Sequence, residues 1–290
     1  MQKQKVINWS IFILLSFIWG SSFILMKVSK EDLTGVQIGA VRIFSAGFIF
    51  LAPAIFHISK VPVRKIPLII LSGILGNLLP AFLFAIAIEK KIDSSLAGIL
   101  NSLTPLFVIV INMLFYKAKL PRQKIAGVVI GFIGLLVLSF SEGGISFHNS
   151  GYALLILVAT LLYGINVNLV SHYLRDVNPI HMATISLAIM SFPAGVIAWQ
   201  QDTFALLQYN VSARWSFAAA ALLGVVGSAF ATVFFYYLIK KAGGLFATMT
   251  TYAIPIVAIF WGILANENVT AIQIFCLGVI LGGVYLANKS

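Results

Sequence analysis

The chain has 290 residues, 60% hydrophobic and 9% charged, with 19 Lys and Arg against 8 Asp and Glu for a formal charge of +11. A soluble domain of that composition could not cover its surface with polar groups, so the mean hydropathy of +1.03 places the chain in lipid. The positive charge does not mark a nucleic-acid binder, because the basic residues cluster between apolar runs instead of forming a stripe. The lone Cys276 excludes an internal disulfide.

Crossing a hydrocarbon core of about 30 Å takes ~20 apolar residues in a helix. Ten such runs are predicted, at 9–29, 34–56, 66–89, 94–116, 122–140, 151–173, 179–199, 215–239, 244–265 and 270–288. The first run follows Lys3 and Lys5 as a signal peptide would. No small-residue cleavage site ends it, and Trp19-Gly20-Ser21-Ser22 lies inside it, so a retained helix is expected. The breaks carry turn or interface residues: Lys30-Glu31-Asp32, Lys60 to Lys65, Lys90 to Asp93, Lys117 to Lys124 and Glu142-Gly143-Gly144. In the second half they are Arg175-Asp176, Gln200 to Arg214, Lys240 to Gly244 and Asn266-Glu267-Asn268. The longest, Gln200 to Arg214, is expected to lie along the membrane surface.

With the N-terminus cytoplasmic, thirteen Lys and Arg fall on that side and five on the other, while Arg42 falls inside the second run. The positive-inside bias therefore puts both termini in the cytoplasm.

The two halves correspond. A shift of 150 residues places Lys90-Lys91 on Lys240-Lys241, Ala97 on Ala247 and Pro105 on Pro255. A shift of 144 places Trp19-Gly20 on Tyr163-Gly164 and Asp32 on Asp176; a shift of 151 places Gly127 and Gly131 on Gly278 and Gly282. Five helices is an odd number, so the second copy enters the membrane upside down. Inverted-topology repeats recur among secondary transporters, where two similar halves exchange conformations around one site. The expected fold is all-α and integral to the membrane, with ten transmembrane helices in two inverted five-helix repeats, 1–146 and 147–290, around a central cavity.

The Trp-Gly-Ser pattern of the first run, Arg42 in the second, the Pro105 and Pro255 helices and Gly278-Val-Ile-Leu-Gly282 after Asn266-Glu267-Asn268 together resemble the drug/metabolite transporter superfamily, EamA type. The resemblance covers essentially the whole chain. It implies ten helices around a central cavity with the fifth and tenth at the periphery, and export of small metabolites, amino acids or drugs.

A polar side chain at bilayer depth normally faces protein or a water-filled cavity. In the third run Gly73, Gly76/Asn77, Pro80/Ala81 and Phe84 make one small or polar stripe. The fourth carries Ala97, Asn101, Thr104/Pro105, Val108 and Asn112, and its repeat partner Ala247, Thr251, Pro255, Ala258 and Gly262. Such stripes also serve plain helix packing. Trp19 and Tyr163, each followed by glycine, are candidate aromatic walls for an amphiphilic solute, the bland alternative being ordinary packing. Ser22, Asn166 and Tyr237 are further cavity candidates.

Arg42 attracts a substrate carboxylate, pairs with backbone carbonyls or braces helices. Glu89, beside Lys90 and Lys91, reads as an ion-paired cap, and His172 and His181 as interfacial hydrogen-bonding groups. No Asp or Glu lies deep in any run, which argues against proton antiport and for facilitated diffusion or exchange.

The substrate-binding candidates are thus Trp19, Ser22, Arg42, Asn77, Asn101, Tyr163, Asn166, Tyr237 and Thr251, with no catalytic residue, metal or cofactor expected. A membrane-embedded enzyme would need a nucleophile–base pair, metal ligands or paired carboxylates, and the runs hold none of these patterns. A channel would need charged rings or a carbonyl-rich filter. The expected activity is export of a small organic solute such as an amino acid by alternating access, with an enzyme or a lipid or drug translocator of the same fold as the alternative. The expected surroundings are lipid of the plasma (inner) membrane, a small-molecule substrate, no nucleic acid, and a monomer or homodimer joined through the Gly-x-x-x-Gly pairs at 127/131 and 278/282.

Overall fold

The computed structural model describes residues 2–90, 94–141, 150–257, 260 and 270–288, and no strand occurs among them. Lys91, Asp93, Glu142, Gly143, Gly144, Ala258, Gly262, Asn266, Glu267, Asn268 and Lys289 lie outside the described residues. In chain order the helices are α1 Gln2–Ser29, α2 Gly35–Phe48, α3 Leu51–Ile58, α4 Val63–Glu89, α5 Ser94–Asn101, α6 Thr104–Tyr116 and α7 Arg122–Ser141. They continue with α8 Ser150–Tyr173, α9 Pro179–Gln200, α10 Thr203–Tyr209, α11 Val211–Ala242, α12 Gly244–Val257 and α13 Ala271–Asn288.

Among the described residues five helices, in α1, α4, α8, α9 and α11, are long and apolar enough to cross a membrane, or six if α2 and α3 count as one bent span. Shorter apolar helices lie in α6, α12 and α13. The outer surface fits lipid. Ile55, Phe56, Leu114, Phe115 and Phe275 each expose about 70% of their area, which water would penalise and acyl chains do not. Trp199 and Trp215, 74% exposed, sit near the ends of their helices as interfacial aromatics do.

Local chemistry sets the helix ends. Thr34 and Gln37 form a capping box at the start of α2, the Thr34 hydroxyl accepting from the Gln37 N–H and the Gln37 carboxamide from the Thr34 N–H. Asn178 caps α9 ahead of Pro179, and Asn210 caps α11 by accepting from the Ser212 and Ala213 N–H groups. Gly243, at φ 92°, turns the chain between α11 and α12 in a conformation that a side chain would oppose.

Two expectations need correction. The segment from Gln200 to Arg214 is not one surface loop: α10 occupies its middle, and α11 already begins at Val211. The second predicted run bends by 55° between Phe48 and Leu51, because Pro53 has no N–H to offer the Ile49 carbonyl.

The packing order positions the site. Helices α2 and α9 lie against each other, and α2 also contacts α4 and α11. Helix α8 packs on α4 and α6, α1 packs on α11 and α12, and α7 pairs with α13. At that last crossing Gly283 lies against the backbone of Gly127 and Gly131, so close that a β-carbon on Gly127 or Gly283 would clash across it, while one on Gly131 would run into the Tyr252 ring. Gly278 and Gly282, by contrast, have nothing within 4 Å of where a β-carbon would stand. The first pair is an internal contact, and the second faces outward.

Candidate functional site

Four of the segments that line the cavity are places where the helical ladder is interrupted, and the rest of the lining comes from regular helix in α1, α2 and α8. In α4 the chain makes a π turn over Ile74–Leu78, with the Leu79 N–H reaching back to the Ile74 carbonyl. Pro80 follows and offers no N–H to the Gly76 carbonyl, so the wider turn accommodates the missing bond. In α11 a second π turn runs over Val225–Phe230. Between α5 and α6 the ladder breaks at Ser102 and Leu103, and the Thr104 hydroxyl donates to the Asn101 carbonyl at 2.7 Å, the acceptor that Pro105 leaves free. In α12 the chain tightens to a 3-10 turn over Met249–Ala253 ahead of Pro255, with the Thr251 hydroxyl on the Thr248 carbonyl at 2.9 Å.

These interruptions border one cavity with about 1030 Å³ of space, its mouth included. Eight of the nine residues singled out from the sequence line it: Trp19, Ser22, Arg42, Asn77, Asn101, Tyr163, Asn166 and Thr251. Tyr237 does not. Its hydroxyl meets the Gln4 carboxamide at 3.2 Å, while its neighbour Tyr236 faces the cavity. Adjacent residues on a helix point about 100° apart, so only one of the pair can face inward. Asn112 also lies elsewhere: it meets His172 at 3.3 Å, and that imidazole stacks on Tyr116 with ring centroids 3.8 Å apart.

Sequence reasoning passed over the α11 wall, made by Gly227, Ser228, Thr232, Phe235 and Tyr236. A signal was present. Gly224-Val-Val-Gly227-Ser228 repeats Gly73-Ile-Leu-Gly76-Asn77 at a shift of 151, so the two π turns fall on matching residues. Gly224 lies flush against the Arg42 backbone and the Ser45 hydroxyl of α2, and Gly73 packs likewise on Ser186 and Met190 of α9.

The polar atoms of the walls are tied across helices. Ser72 donates to the Asn166 carboxamide oxygen at 2.7 Å and lies 2.9 Å from the Tyr236 hydroxyl. Thr232 donates to the Asn77 oxygen at 2.9 Å, which leaves the buried Asn77 Nδ2 without a partner. The Trp19 indole donates to the Gly227 carbonyl at 3.1 Å, using an acceptor within the second π turn. Arg42 donates from Nε to the Ser228 hydroxyl at 2.8 Å. The aromatic surface comes from Trp19, which meets Phe235 edge-on with centroids 5.4 Å apart, and from Phe84 beside Tyr163 at 6.3 Å. Among the described residues no three His, Cys, Asp or Glu side chains gather as a metal site.

Outside the cavity, two carboxylates tie loops to helix starts. Asp32 accepts from Ser212 and Ser216 at 2.8 Å each, and these bonds hold its carboxyl below the usual range. Asp176 pairs with Lys65 at 2.9 Å, which lowers its carboxyl too. Glu89 accepts from the Gly35 N–H at 2.9 Å and from Lys90 at 3.2 Å, so it caps α2 from the end of α4.

A helical, lipid-facing protein that encloses a polar and aromatic cavity among interrupted helices has the build of a membrane carrier. Comparison with known proteins narrows the class. A model of the EamA-like transporter family matches residues 8–140 and again 150–289, and the chain belongs to that family. It is 25% identical over 283 residues to an uncharacterized transporter of Archaeoglobus fulgidus, covering 97% of this chain and 99% of the relative. It is 27% identical over 284 residues to the uncharacterized inner membrane transporter YedA of Escherichia coli, covering 94% and 88%. A solved crystal structure superposes with a TM-score of 0.68 at 16% identity, over 99% of this chain and 96% of the other, a likeness of fold alone. The chain is thus a multi-pass membrane protein of a transporter family.

Proposed function

We propose that the protein exports a small organic metabolite, an amino acid or related solute, across the plasma membrane by alternating access. The observation that carries this reading is the cavity itself, to which segments before and after residue 146 contribute matched interruptions. The matching extends to the packing. Helix α1 packs on α11 as α8 packs on α4, and α2 packs on α11 as α9 packs on α4. Helix α6 meets α8 as α12 meets α1, while α2 with α9 and α7 with α13 cross between the halves. Exchange of the halves 1–146 and 147–290 maps this set of contacts onto itself, as two inverted five-helix repeats and ten spans would require. The Lys and Arg bias supports cytoplasmic termini.

The solute enters the cavity from the cytoplasm, rests between the Trp19 and Tyr163 walls near Asn77 and Asn101, and leaves when the halves rock. No carboxylate or histidine stands among the described lining residues, which supports a carrier driven by the solute's own gradient. The test is uptake of labelled amino acids and other small solutes into vesicles holding the purified protein, with and without a pH gradient, beside Asn101→Ala. Saturable flux that ignores the gradient and falls in the variant is the expected result. Flux that requires the gradient would overturn the uncoupled mechanism.

A further inference from the structure

The charge balance of the cavity carries a substrate class. Among the described lining residues Arg42 is the only charged side chain, and no Asp or Glu of the described residues pairs with it. A guanidinium keeps its proton at any physiological pH, so the cavity holds a permanent positive charge. An unpaired charge enclosed among helices is expensive, and a structural brace does not need one: the bond from Nε to Ser228 uses one of five N–H donors. The remaining edge of the guanidinium is a fork that matches the two oxygens of a carboxylate.

A second unsatisfied donor lies close by. Asn77 is 7% exposed, and its Nδ2 has no partner while its Oδ1 accepts from Thr232. The partners of the two groups, Ser228 and Thr232, are four residues apart on α11, so both groups are anchored to neighbouring positions on one wall of the cavity. Such an amide donor adds to a carboxylate and gains nothing from an ammonium. Beyond the polar end, Trp19, Phe84, Tyr163 and Phe235 supply apolar walls.

We infer that the cavity selects organic monoanions: a carboxylate docks on the free edge of Arg42 and takes a hydrogen bond from Asn77, with an apolar body held between the aromatic walls. Cations are disfavoured by Arg42, and a zwitterion finds no carboxylate for its ammonium among the described lining residues, which narrows the proposed solute from an amino acid to a related organic acid. This inference rests on the reading of the cavity as the transport site.

Three probes share one skeleton and differ in charge: phenylacetate, phenylacetamide and phenethylamine. Each labelled compound is tested by equilibrium dialysis with the detergent-purified full chain and by flux into vesicles. The expected result is phenylacetate binding at least about tenfold tighter than phenylacetamide, with phenethylamine weakest. Arg42→Gln retains a donor for Ser228 but no charge; it removes that preference, while a helical circular-dichroism spectrum and a cooperative melt like those of the unaltered protein show that the variant folds. Asn77→Leu weakens phenylacetate several-fold with the same control. Equal binding of anion and amide by the unaltered protein, loss of all three probes together in Arg42→Gln, or no binding of any probe would each overturn the inference. Arg42-dependent binding of phenylacetate without flux would sustain the inference and sink the transport reading. Flux of amide or amine without preference for the anion would do the reverse.

Discussion

Tyr236 and Tyr237 are neighbours in the chain with different work to do. The Tyr236 hydroxyl joins Ser72 and Asn166 in a buried cluster, while Tyr237 reaches Gln4 outside the cavity. Tyr236→Phe should therefore cost about 0.6 kcal/mol and no more than about 1.7, the mean and the maximum found for interhelical hydrogen bonds in a membrane protein, and should reduce substrate flux. Tyr237→Phe should leave flux unchanged. Thermal unfolding in detergent and vesicle flux read the two effects. Trp19 separates its two contributions in the same way. Trp19→Phe keeps the ring and loses the indole bond to Gly227, whereas Trp19→Ala also loses the contact with Phe235. If the wall matters more than the bond, flux falls about tenfold or more in Trp19→Ala and much less in Trp19→Phe; equal losses would place the effect in the hydrogen bond.

At the scale of elements, the α7–α13 crossing distinguishes glycines that sequence spacing treats alike. A β-carbon on Gly283 would run into Gly127 and Gly131, while Gly282 borders open space. Gly283→Leu should destabilise the protein by about 1–3 kcal/mol, as overpacking does, and Gly282→Leu should be neutral, both read by thermal unfolding. The pairing of Asp176 with Lys65 fastens the 173–179 turn to the start of α4. The Asp176 carboxyl is lowered in the folded protein, so its contribution is complete above the unfolded value near 4 and is lost as pH falls through the folded value. The melting temperatures of the unaltered protein and Asp176→Asn should accordingly differ at pH 7 and converge once the pH has fallen through the folded value. A difference that persisted there would mean that the side chain acts by packing.

For the molecule as a whole, what could be read in advance follows the chemistry that each residue displays. Asn101, Thr251 and the two prolines were legible because a proline in an apolar run must free a carbonyl, and a polar neighbour at helical spacing marks the same face. Arg42 was legible because a charge at membrane depth has few innocent explanations. The α11 wall was not, since 217–235 reads as a uniform apolar run in which Ser228 and Thr232 look like ordinary packing residues. Its π turn has no proline to announce it; only the match of Gly224-Val-Val-Gly227-Ser228 to the first half betrays it. The correction of Tyr237 to Tyr236 has the same root: an apolar run sets a helix but does not fix its rotation to within one residue.

Alternating access makes one demand on the whole molecule, that the same wall residue meet water from both faces of the membrane. The most direct measurement places a single cysteine at Asn101 in a Cys276→Ala background and applies a membrane-impermeant maleimide from one side or the other of oriented vesicles. The account predicts labelling from both sides, slowed in each case by a transported solute. Labelling from one side only, unaffected by solute, would contradict it and leave the cavity a dead-end pocket in a protein of this fold.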